Sequence, residues 1–106
     1  MAENESCLSI EGLERIILDR KQKMPAGSYV GSLLSEETDR SAQKVVEEAG
    51  EFAIASTRMG ITGQGEPQVV SEAADVAFHL LVTLVKLNIP WIRIREELTK
   101  RHAEKT

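Results

Sequence analysis

Two short acidic segments carry the densest chemistry in this sequence: Glu47-Glu48-x-x-Glu51 and Glu72-x-x-Asp75. Carboxylates three and four residues apart on a helix share one face, where like charges repel by a few tenths of a kcal/mol per pair. Two such helices side by side would turn all five carboxylates towards a cationic guest. All-oxygen ligation selects hard cations, with magnesium the natural occupant and manganese its substitute. Ions of this kind neutralise phosphate oxygens, polarise phosphorus and lower the pKa of a bound water, so the chemistry predicted is on phosphates. Arg40 and Lys44, one turn apart on the same predicted helix, offer cations to anionic substrate oxygens.

The plainer reading of a charge run is a solvated helix face, and Lys44 can simply pair with Glu48 at the i+4 spacing. Glu72 and Asp75 weigh against it, because their neighbours are apolar and an ionised carboxylate in such surroundings is costly unless paired or bound to metal. A di-iron bundle would want Glu-x-x-His on its ligating helices. Here the step is Glu72-x-x-Asp75 with His79 four residues beyond, which argues against iron and leaves His79 as a hydrogen-bonded core histidine. Gly60-x-x-Gly63-x-Gly65 has no strand before it, as a phosphate-binding glycine loop requires, and reads as a flexible linker.

Helices must position these residues, since no stretch alternates cleanly between apolar and polar. The first is predicted from Ser9, a candidate N-cap, to Gln22, with Leu13, Ile16 and Ile17 facing inward. Pro25-Ala26-Gly27 breaks it, and Tyr29 to Leu34 is a short helical or irregular stretch. Thr38 or Asp39 caps a long helix to about Arg58, with Ala42, Val45, Val46, Ala49, Phe52 and Ala53 as its apolar face and Glu48 nearest the buried edge. A third helix opens at Pro67 and runs to Leu87, apolar almost all round and so central to a bundle, yet lined by Glu72, Asp75 and His79. Pro90 opens the last, which buries Trp91, Ile94 and Leu98. The fold class expected is all-α, a compact bundle of about four to five helices. Residues 1–7 are a loose end, 8–102 a single domain and 103–106 a frayed tail.

At 106 residues there is room for about one hydrophobic core. A net charge of -4 argues against a nucleic-acid-binding surface. The apolar run from Ala73 to Leu87 is interrupted by Asp75, His79 and Lys86 and falls short of the roughly 20 residues of a membrane span. The polar, acidic start does not resemble a secretory signal, and the single Cys7 suits a reducing compartment, so the cytoplasm is the expected location.

Ser28-Tyr29-x-x-x-Leu33-Leu34, Asp39-Arg40, Lys44-x-x-Glu47-Glu48-Ala49-x-Glu51 and Glu72-Ala73-Ala74-Asp75 with His79-Leu80-Leu81 together resemble the phosphoribosyl-ATP pyrophosphohydrolases of histidine biosynthesis, from about Leu8 to His102. The carboxylate pairs alone mark a wider all-α nucleotide pyrophosphohydrolase superfamily; the Ser-Tyr, Asp-Arg and Lys-x-x-Glu-Glu segments point to this branch. The resemblance implies magnesium-dependent hydrolysis of phosphoribosyl-ATP, a small nucleotide, between its α and β phosphates. It also implies Glu48, Glu51, Glu72 and Asp75 as metal ligands, Glu47 as a further ligand or as the residue orienting the attacking water, and Lys44 as a phosphate-binding residue. A homodimer with active sites near the subunit interface is implied as well. The sequence departs at Val46, where many members have glycine, and in a Gly60 to Val70 connection about three residues longer than in compact members, within loop tolerance. The competing readings are a housecleaning nucleoside triphosphate pyrophosphohydrolase and a non-catalytic helical dimerisation module.

Overall fold

The computed structural model describes residues 7–23, 29–35 and 39–105. Within them the chain forms α1 (Ile10–Lys23), α2 (Tyr29–Ser35), α3 (Arg40–Thr62), α4 (Glu66–Lys86) and α5 (Trp91–Lys105), and no strand is present among the described residues. The all-α class is as the sequence predicts. The proposed break at Pro25-Ala26-Gly27, the Thr38 cap, residues 1–6 and Thr106 lie outside the described residues.

Helix starts follow local chemistry. The Ser9 hydroxyl accepts the Gly12 N–H at 2.9 Å, so Ser9 is the N-cap of α1. Pro67 sits in the first turn of α4, where a missing N–H costs nothing. Asp39 precedes α3 but makes no side-chain capping bond. α1 also serves two other helix ends. The Lys21 ammonium donates to the Val85 carbonyl (3.0 Å) and to Asn88 Oδ1 (2.6 Å) at the C-terminus of α4. Glu14 Oε2 accepts the Trp91 N–H at 2.7 Å at the start of α5. Each charge has the sign that the helix dipole favours at that end.

The glycine segment differs from the linker expected. α3 continues through Gly60 to Thr62 and stops at Gly63, whose φ of 74° is left-handed and whose N–H bonds the Met59 carbonyl at 2.8 Å. Only Gly63-Gln64-Gly65 remains to connect α3 to α4, so these two helices fold back on one another as an αα-hairpin. The cost of a glycine inside a helix, about 1 kcal/mol, is tolerated at Gly60; the positive φ at Gly63 is what ends α3.

The core is Ile17 from α1, Leu33 from α2 and Leu81, Val82 and Val85 from α4, with Leu13, Leu34, Phe78 and Trp91 packed around them. α4 is thus central, packing on α1, α2 and α3. By length and composition its 21 residues are enough to cross a membrane, contrary to the expectation drawn from the shorter Ala73 to Leu87 run. Here they form a core helix instead, with Leu81, Val82 and Val85 buried beside Glu72 and His79.

Three expected inward faces are corrected. Ile16 is 44% exposed while Ile17 is fully buried. On α3, Val46 (74% exposed), Ala49 and Ala53 face outward, and Ser41, Glu48 and Ala55 are the buried residues. Ala42, Val45 and Phe52 of the expected face are partly buried, so the helix is rotated to bring its carboxylate edge towards α4 and leave the far side of the aliphatic stripe outside. On α5 no residue is buried; Trp91 and Ile94 are partly covered, Leu98 is exposed, and the helix continues past His102 to Lys105.

Candidate metal and phosphate site

The α3–α4 hairpin places two polar rows against each other. On α3, Lys44, Glu48 and Glu51 recur every three or four residues, with Arg58 two turns beyond Glu51; on α4, Gln68, Glu72, Asp75 and His79 are spaced three or four apart. Where the rows meet, carboxylate oxygens of Glu48, Glu51 and Glu72 lie within 4.8 Å of one another. Glu48 is only 8% exposed and Glu72 only 7%, whereas Glu51 opens to solvent.

The two buried acids are unequally served. Lys44 Nζ stands 3.7 Å from Glu48 Oε1, the i+4 pair that the spacing allows. Gln68 Nε2 donates to Glu72 Oε1 at 2.6 Å. Glu72 Oε2 is buried and has no hydrogen-bond partner among the described residues. A buried carboxylate oxygen without a donor is costly and suits a cationic partner. The neighbouring Glu51 carboxyl is raised above its ordinary pKa. The largest cause is the hydrogen bond that a proton on Glu51 would allow to Glu72, followed by the Glu72 charge and loss of hydration; hydrogen bonding with Glu48 and the Lys44 charge oppose it. Three acids crowded so that the charge on Glu51 is disfavoured, with one buried oxygen unpartnered, form an oxygen donor set suited to a hard divalent cation.

Of the other residues singled out in the sequence, Asp75 follows Glu72 by three residues, yet its carboxylate lies outside the trio, as does that of the exposed Glu47. Arg40 is exposed at the first turn of α3, four residues before Lys44. His79 is a hydrogen-bonded core histidine: 5% exposed, with Nδ1 2.9 Å from the Asp75 carbonyl and Nε2 2.9 Å from the Tyr29 hydroxyl. The carbonyl can only accept, so Nδ1 carries the proton and Nε2 accepts from the tyrosine. Phe78 stacks on Tyr29 with ring centroids 6.2 Å apart, and together these contacts fasten α2 to α4 next to Asp75.

Two residues escaped sequence reasoning. Arg58 and Gln68 line a groove of about 650 Å3 that opens between α3 and α4, with Glu51 and Glu72 at its wall. Their signal was spacing alone: Arg58 is seven residues after Glu51, and Gln68 four before Glu72, each on the same helix face.

A helical hairpin that turns carboxylates of both helices inward, with a lysine beside them and a groove leading away, marks an all-α class of protein whose acidic inter-helix site has the oxygen donors a hard divalent cation would take. The comparisons with known proteins specify the branch. Residues 10–102 match the family model of phosphoribosyl-ATP pyrophosphohydrolase, and the chain belongs to that enzyme family. It is 41% identical over 92 residues to the phosphoribosyl-ATP pyrophosphatase of Metallosphaera sedula, a match spanning 87% of this chain and 94% of the relative. The phosphoribosyl-ATP pyrophosphatase of Leptospira biflexa is 37% identical over 91 residues, 86% of this chain and 94% of that one. A third relative, the histidine biosynthesis bifunctional protein HisIE of Bacillus subtilis, is 38% identical over 92 residues, covering 87% of this chain but 42% of the larger protein.

Proposed function

We infer that this chain hydrolyses phosphoribosyl-ATP to phosphoribosyl-AMP and pyrophosphate, the second step of histidine biosynthesis, with magnesium held by its carboxylates. The observation that carries this reading is the convergence of Glu48, Glu51 and Glu72 oxygens within 4.8 Å in a chain of this family. Glu48, Glu51 and Glu72 hold the magnesium, or manganese in its place, and Asp75 completes the set from the next turn of α4. When bound, the cation supplies charge neutralisation at the phosphate oxygens and acidification of water. The chain's own residues do the rest. Glu47, exposed beside the trio, orients the attacking water or adds a ligand. Lys44 contributes a phosphate-directed charge, since its 3.7 Å separation from Glu48 leaves its other N–H donors available. Arg40, one turn earlier, extends that positive edge.

A homodimer belongs to the same reading. Val46, Ile54 and Ile61 form an outward aliphatic stripe on α3 at seven- to eight-residue spacing, with Ile61 80% exposed. The radius of gyration, 15.9 Å, exceeds the roughly 13 Å of a compact chain this long. Association through the stripe would cover apolar surface that the monomer leaves wet and would wall the groove beside α3. A cytoplasmic setting fits a biosynthetic enzyme with one free, exposed cysteine, Cys7.

The reading is tested by pyrophosphate release from phosphoribosyl-ATP beside ATP, dCTP and dUTP, each with and without EDTA. EDTA-sensitive release from phosphoribosyl-ATP alone supports it. Release chiefly from a free triphosphate would move the protein to a housecleaning role, and no release from any would leave a helical scaffold.

Metal binding should also appear in stability. A carboxylate raised in the folded state, as Glu51 is, contributes stability below its unfolded pKa that is lost as pH rises through the folded value. Above that folded value the metal-free protein bears the carboxylate repulsion, and a cation relieves it. Saturating magnesium is expected to raise the melting temperature by several degrees at about pH 7.5. The gain should shrink towards about pH 5, where protons compete for the same oxygens. Thermal unfolding with magnesium and with EDTA at both pH values measures this; an equal gain at the two, or none, would contradict it.

A further inference from the structure

The groove beside the trio holds a charge that the reading above leaves unused. Among the described residues Glu51 and Glu72 are the only carboxylate residues on its wall, and that reading commits both to the cation. Beyond them, towards the Gly63–Gly65 turn, the wall is aliphatic at Ile54 and Ala55 and carries the Gln68 amide and the Arg58 guanidinium. Arg58 follows Glu51 by two helical turns, about 10 Å along α3. It is exposed and makes no ion pair among the described residues. At the other end Glu72, more than nine-tenths buried, keeps Oε2 without a hydrogen-bond partner among the described residues. Along the groove the charge therefore runs from a cation-seeking end to a neutral amide and then to a forked cation. A ligand matching that order has one phosphate at the metal and another anionic group further out. Guanidinium suits the outer position, because its planar fork engages two phosphate oxygens at once.

We propose that Arg58 binds a phosphate of the substrate that extends from the metal site towards the Gly63–Gly65 turn. This rests on the reading of Glu48, Glu51 and Glu72 as a phosphate-directed metal site. Two parts of phosphoribosyl-ATP carry the required chemistry: the β,γ end that leaves as pyrophosphate, and the 5′-phosphate of the added ribose.

Calorimetric titration of the magnesium-saturated full chain with magnesium pyrophosphate and, separately, with phosphoribosyl-AMP tests the assignment. Wild type, Arg58→Gln and Arg58→Lys are compared, with steady-state kinetics on phosphoribosyl-ATP alongside. In Arg58→Gln one of the two ligands is expected to bind at least about tenfold more weakly, and KM to rise by a similar factor, with magnesium affinity unchanged. Arg58→Lys should recover part of the loss. Weakened pyrophosphate binding assigns Arg58 to the leaving end, and weakened phosphoribosyl-AMP binding assigns it to the ribosyl phosphate. Unchanged affinity for both ligands, including a fall in kcat alone, overturns the proposal, as does a wild type that binds neither. If the wild type acts on a different triphosphate, the reading above fails, and the pyrophosphate titration still decides Arg58. Because Arg58 is exposed, both variants should fold, which circular dichroism and an unchanged melting temperature verify.

Discussion

Glu72→Gln is expected to lower turnover of phosphoribosyl-ATP by at least about 100-fold, some 2.7 kcal/mol of transition-state stabilisation, while the protein stays folded. Glutamine has nearly the shape of glutamate, and the Gln68 amide that donates to Oε1 can still reach a carbonyl oxygen there. What disappears is the charge on a carboxyl group 7% exposed, whose Oε2 has no partner among the described residues. That charge is a liability in the metal-free protein, since Glu48 and Glu51 lie within 4.8 Å. The variant should therefore melt at the same temperature as wild type, or higher, in EDTA, and should no longer gain stability from magnesium. A site that gives up stability for function behaves in this way, whereas a purely structural carboxylate would not. Steady-state kinetics and thermal unfolding of the same preparation measure both halves. Full activity, or loss of the fold, would remove Glu72 from the centre of the site.

Ile17→Ala should cost about 2–5 kcal/mol of stability, through lost transfer free energy and the cavity left behind. Ile17 is fully buried where α1, α2 and α4 meet, among Leu33, Leu81, Val82 and Val85. With so few buried aliphatics, the loss is a large share of the roughly 5–15 kcal/mol that a domain has in total. Its neighbour provides the control. Ile16 is 44% exposed, so Ile16→Ala should cost under about 1 kcal/mol. Urea denaturation midpoints of the two variants separate them, and equal losses would show that α1 is not seated as described.

The sequence makes the helix boundaries legible wherever a terminus has its own chemistry. Ser9 caps α1 and Pro67 opens α4 because each satisfies or dispenses with a backbone N–H at that place. Glu48 at the buried edge, the Lys44–Glu48 pair and the core role of His79 were legible for the same reason: helical spacing fixes neighbours along one helix. Which face of α3 turns inward was not. Hydrophobic patterning sends Val46, Ala49 and Ala53 into the core, but the choice depends on what α4 offers across the hairpin, and α4 offers Glu72 with its unpartnered oxygen. Gly60 read as a linker because composition cannot distinguish a tolerated helical glycine from one held at positive φ, as Gly63 is. Arg58 and Gln68 were invisible because a single polar residue acquires meaning only when a second helix supplies the opposite wall.

The most direct test of the carboxylate centre is anomalous diffraction from crystals of the full chain grown with manganese. A strong peak bounded by carboxylate oxygens of Glu48, Glu51 and Glu72 is the expected result. Manganese bound elsewhere, with that trio left without a peak at saturating concentration, would contradict it.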